Sequence, residues 1–105
     1  MQHARKNALN WFEIPVADMD RAQCFYETVV DAPLRREAMG PATTLAVFPY
    51  DSAGVGGCLF AAEGIRPSAD GAIVYLNAGE SLDAALDRVR TAGGATDFNI
   101  ITRDG

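Results

Sequence analysis

The chain has 105 residues, 49% apolar and 22% charged, which is one domain with the balance of a globular protein. Its net charge of −5 argues against a nucleic-acid or acidic-membrane partner, since both select a basic patch. No apolar run approaches the roughly 20 residues of a membrane helix, and Met1-Gln-His-Ala-Arg-Lys6 has no apolar stretch behind its charges, so a cytoplasmic protein without a signal peptide is expected.

Residues 1–7 read as a polar arm. Trp11 to Val16 follows as a strand that alternates by side, with Phe12, Ile14 and Val16 on one face and Trp11 and Glu13 on the other. Asp18 stands where an N-cap belongs and Asp20 complements the helix dipole. Behind them Met19, Ala22, Phe25, Tyr26, Val29 and Val30 recur at helical spacing as a core-facing stripe. The helix closes near Asp31-Ala-Pro33. Leu34 to Met39 is weakly patterned and rich in charge, which suits an edge strand. After a turn at Gly40-Pro41, Thr43 to Tyr50 is the clearest β-run, and Asp51-Ser-Ala-Gly54 turns it back into Val55 to Ala61 as a hairpin. Gly56-Gly57 within that strand points to a bulge or to close approach by a ligand or another backbone.

Glu63 to Gly71 has the composition of a linker. Ala72 to Ala78 is then predicted as a buried strand, Ser81 as an N-cap, and Leu82, Ala85, Leu86 and Val89 as the stripe of a second helix that Gly93-Gly94 ends. Ala95 to Thr102 is predicted as one more strand. The two halves superpose: Ser81-Leu-Asp-Ala-Ala85 falls on Asp18-Met-Asp-Arg-Ala22, and Ile73-Val-Tyr-Leu76 on Trp11-Phe-Glu-Ile14. The first module is strand, helix and three strands, the second strand, helix and one strand. Cys24 and Cys58 lie far apart without zinc-site spacing or a disulfide framework. Two small buried thiols are expected, with Cys58 as a reactive pocket thiol the alternative.

Asp18-Met-Asp-Arg-Ala with Phe25-Tyr26, then Gly71-Ala-Ile-Val-Tyr-Leu-Asn and Thr91-Ala-Gly-Gly94, resemble in their order the vicinal oxygen chelate superfamily of glyoxalase I, bleomycin-resistance proteins and extradiol dioxygenases. Trp11-Phe-Glu-Ile-Pro-Val, Ala46-Val-Phe-Pro-Tyr and Pro67-Ser-Ala-Asp-Gly are similar to its glyoxalase-like subgroup of unassigned function. The resemblance covers roughly residues 8–95. It implies an α+β fold of paired βαβββ modules in a half-open barrel, here with module one at about 8–63, a linker at about 64–71, and a second module at about 72–105 truncated after its helix and one strand.

The family's chemistry rests on a divalent metal held by His, Gln or Glu from strands of both modules. The resemblance places those positions on Trp11 and on Ala72 or Ile73, none of which ligates. Val55 to Ala61 offers no His, Asp or Glu, and the only histidine, His3, is in the arm. The expectation is therefore no metal and no cofactor. The inner face would carry Trp11 and Glu13, with Ile73, Tyr75 and Asn77 from the matched register. Glu13 and Tyr75 are the catalytic candidates, a carboxylate and a phenol across one cavity. Trp11, Glu13, Phe48, Cys58, Phe60, Tyr75 and Asn77 are the ligand-binding candidates. A structural role for Glu13 and a core role for Tyr75 and the aromatics is the alternative.

An unpartnered strand edge in the short second module predicts a homodimer through module or strand-edge pairing. Three functions stay open. One is a metal-independent domain that binds a small organic ligand. Another is a metal-dependent lactoylglutathione-lyase-like or dioxygenase-like enzyme. The third is a truncated, dimerising remnant with no small-molecule role.

Overall fold

Local signals fix the first two elements. In the computed structural model, which describes residues 7–94 except Ala69 and Ala78, β1 (Trp11–Pro15) runs into α1 (Met19–Val30). Asp18 caps the helix in an extended conformation, its Oδ1 accepting from the Arg21 N–H at 3.2 Å, with Asp20 in the first turn. Asp31 ends it in the left-handed region at φ 57°, its N–H donating to the Glu27 carbonyl. Three strands follow, β2 (Arg35–Ala38), β3 (Thr43–Val47) and β4 (Gly56–Ala62).

Successive hairpins carry the chain back to β1. The sheet order is β1-β4-β3-β2, with β1 parallel to β4 and the other pairs antiparallel. The fold is α+β, and its first five elements form a βαβββ unit. In register, Phe12 faces Gly57, Glu13 faces Cys58, and Leu59 lies opposite both Ile14 and Ala46. Side chains alternate across each strand. Phe12, Ile14, Leu59 and Ala46 therefore share one face, which buries against Val16, Met19 and Leu34, with Ala22, Tyr26 and Val30 of α1 packed alongside. Trp11, Glu13, Cys58, Val47 and Glu37 share the other face, which no helix of the described residues covers. The strand-by-strand reading of the first module holds, including the charged edge position of β2.

A polar network locks α1 to β2. Glu27 accepts the Leu34 N–H at 2.7 Å and the Gln23 amide at 3.2 Å, and Arg36 donates to Gln23 at 2.6 Å and to Asp20 at 2.9 Å. The bond from Leu34, followed by that from Gln23, holds the Glu27 carboxyl below its ordinary value of 4.5. A depressed folded-state pKa contributes stability that is complete above the ordinary value and is lost as pH falls through the folded value. Urea titrations of the wild type should therefore show stability falling below about pH 4.5, and Glu27→Gln should lack that part of the decline.

The second half departs from expectation. Residues 72–77 form no strand: they pair with nothing in the sheet. Ile73 is 79% exposed and Tyr75 64%, and only Leu76 packs against the core. The apolar run has β composition, but a strand is made by its ladder partner, and residues 79–94 supply none. α2 (Leu82–Thr91) forms as predicted, capped by Ser81 Oγ accepting from the Ala84 N–H at 3.1 Å and left through Gly93 at φ 87°. It packs on α1, where Arg88 Nε donates to the Val29 carbonyl at 3.0 Å and satisfies an end group of that helix. The strand expected at 95–102 lies outside the described residues. Cys24, expected to be buried, is exposed on α1. Among the described residues no helix is long and apolar enough to cross a membrane.

Candidate functional site

Among the described residues β1 is bonded to a strand, β4, on one side only, and its other edge borders a cleft of about 860 Å3. One wall is Leu9, Trp11, Phe12 and Glu13. The other is residues 72–77, and Val30, Ala32, Phe48, Pro49 and Val55 close the end. Five of the seven ligand-binding candidates, Trp11, Glu13, Phe48, Tyr75 and Asn77, border this one space. It is the concave, mostly apolar kind of site with few polar groups that small organic molecules enter.

Each side chain has a definite local reason for its place. Trp11 and Glu13 sit two apart on a strand, so they emerge on the same face, and Trp11 Nε1 donates to Glu13 Oε2 at 3.4 Å. Trp11 also meets Tyr50 edge to face, ring centroids 5.9 Å apart. Phe48 follows β3 on the helix side, where it stacks between Phe12 and Tyr26 at 5.7 and 5.9 Å. It is core first, and reaches the cleft only with its margin. Tyr75 is mostly exposed and is not the core residue of the alternative reading. Asn77 turns its Oδ1 to the Gly79 N–H at 2.9 Å.

Cys58 and Phe60 do not line the cleft and need correction. Both lie on β4, an inner strand, where the neighbours β1 and β3 shield them from the free edge. Cys58 is fully buried beneath Glu13, its Sγ donating to Glu13 Oε2 at 3.9 Å. Burial, and then the negative charge of Glu13, pushes its thiol from 9.0 up to about 11. The nucleophile of cysteine chemistry is the thiolate, so burial and a raised pKa argue against the reactive-thiol alternative. Phe60 faces Leu45 and Pro15 further along the sheet.

Sequence reasoning missed the residues that close the cleft: Leu9, Phe12, Val30, Ala32, Pro49 and Val55. Periodicity assigns Phe12 and Val30 to the core, correctly. Nothing in it tells that the end of α1 and the end of β3 meet at the same corner of the sheet.

The donor chemistry does not fit a divalent metal. The first-strand position presents the Trp11 ring and the other wall Ala72 and Ile73, while Glu13 stands beside a protonated thiol. Among the described residues no three His, Cys, Asp or Glu side chains are grouped to hold an ion.

A family model, Glyoxalase/Bleomycin resistance protein/Dioxygenase superfamily, matches residues 8–103. No curated protein and no solved structure gives a match.

Proposed function

Because the chain belongs to the Glyoxalase/Bleomycin resistance protein/Dioxygenase superfamily, we propose that it acts through the pocket such folds create, as a metal-independent domain that binds a small organic molecule. The observation that carries this reading is the cleft itself: apolar walls, the Trp11 and Tyr75 rings at its border, and Glu13 and Asn77 as its polar side chains. Trp11 and Tyr75 would contact a flat ligand, and Glu13 would anchor a cationic or hydroxyl group on it. Catalysis would require Glu13 to act as a base beside Tyr75, and that role belongs to the same proposal.

The working form is a homodimer in the cytoplasm. Among the described residues β2 is the other margin of the sheet, and its open edge with the exposed Met39 beside it supports pairing of two copies away from the cleft. Light scattering should then give twice the 11.2 kDa of one chain.

A thermal-shift screen tests the binding role. Run with EDTA, with Ni2+, Zn2+, Mn2+ and Fe2+, and with a panel of small aromatic compounds, it should respond to compounds from the organic panel alone. A specific binder at a hundredfold excess over its Kd stabilises the folded state by about 2.7 kcal/mol. The shift should fall in Glu13→Gln and in Tyr75→Phe. A clear metal shift would overturn the metal-free reading in favour of the lyase or dioxygenase, and silence from both would favour the remnant.

A further inference from the structure

Among the described residues that line the cleft, Glu13 is the only acidic or basic side chain. Its hydrogen bonds come from neutral donors, the Trp11 indole at 3.4 Å and the Cys58 thiol at 3.9 Å. The ion pairs of the described residues leave it out: Arg35 is taken by Glu37 on the same sheet face, Arg36 by Asp20 and Arg90 by Asp87. A carboxylate facing an apolar cleft, with no cation paired to it among the described residues, attracts positive charge and repels negative. The rings beside it act in the same sense, because the face of a Trp or Tyr ring is the negative end of its quadrupole.

Resting on the binding role proposed above, we infer that the ligand is a flat aromatic cation, a one- or two-ring system bearing a protonated amine, and that Glu13 selects its charge. The rings of such a molecule suit the apolar walls and its ammonium suits the carboxylate. A neutral alcohol of the same shape keeps the first contact and loses most of the second. A carboxylate of the same shape meets repulsion. The cleft volume of about 860 Å3 accommodates a molecule of this size. The field of the carboxylate is already felt within the protein, since the Cys58 thiol is raised by Glu13 after burial.

The test is isothermal titration of the whole chain with three probes of one shape: 2-naphthylmethylamine, 2-naphthylmethanol and 2-naphthoate. The amine should bind about five- to tenfold tighter than the alcohol, the yield of one partly exposed ion pair with a cation–π contact, and the acid weakest. The preference should shrink between about 0.05 and 0.5 M salt. Glu13→Gln should abolish the preference of amine over alcohol, and Glu13→Asp should keep it. Equal binding of amine and alcohol to the wild type would overturn the charge inference and leave the cleft reading standing. A preference that survives in Glu13→Gln would overturn Glu13 as the selector. Failure of all three probes to bind would overturn the cleft reading, and the inference with it.

Discussion

Leu59→Ala is expected to remove about 2–5 kcal/mol of folding stability, the range for a fully buried leucine truncated in a core that closes only partly around the loss. Leu59 has no exposed surface and is the largest side chain of which that is true. It sits on β4, an inner strand, opposite Ile14 of β1 and Ala46 of β3, in the cluster that Met19 and Leu34 complete. Ala46 is already minimal, so it cannot fill the void. A domain of this size holds about 5–15 kcal/mol in all, so the variant should unfold at a much lower urea concentration with an unchanged slope. Ile73→Ala is the contrasting measurement. Were residues 72–77 a buried strand, the two substitutions would cost alike. With Ile73 79% exposed, its truncation should stay within about 0.5 kcal/mol of the wild type. A loss above about 2 kcal/mol at Ile73 would restore the buried strand.

That contrast marks where sequence reading stops. Elements whose signals are local were legible: Asp18 and Ser81 cap the helices they were expected to cap, the stripe of α1 faces the core while α2 packs on α1, and charge-rich Arg35–Ala38 is the edge strand. Alternation along β1 also put Trp11 and Glu13 on one face, where an indole–carboxylate bond joins them. What failed depends on partners far away in sequence. Residues 72–77 have the composition of Trp11–Pro15 without its ladder. Cys24 and Cys58 look alike in sequence, yet one lies on the open side of a helix and the other beneath Glu13. Phe48 and Phe60 both fall in β-rich stretches of sequence, and only the structure tells that Phe48, just past β3, joins the helix-side core while Phe60 faces away from it. The cleft is legible only once β1 is known to be an edge.

Gly57 offers a test of how tightly the sheet is fitted to its aromatics. The glycine pair in β4 suggested a bulge, a ligand or another backbone, and the structure puts rings there instead. A Cβ on Gly57 would lie 2.3 Å from the Phe12 ring, and one on Gly56 2.6 Å from the Tyr50 ring. Phe12 is the direct cross-strand neighbour of Gly57, and its ring packs against Phe48. Alanine is ordinarily the better strand residue, since it loses less backbone freedom on folding. Here the clash outweighs that gain: displacing Phe12 disturbs the stack through Phe48 to Tyr26, and overpacking of this kind costs about 1–3 kcal/mol. Gly57→Ala should therefore destabilise the wild type by that amount in urea titration. In a Phe12→Leu background, where the ring is gone, the same change should cost less than about 0.5 kcal/mol, the difference being the coupling between two residues in contact. Equal losses in both backgrounds would trace the effect of Gly57 to the backbone rather than to the ring above it. A cost confined to the Phe12 background ties the glycine to the aromatic layer, and through Phe12 to the wall of the cleft.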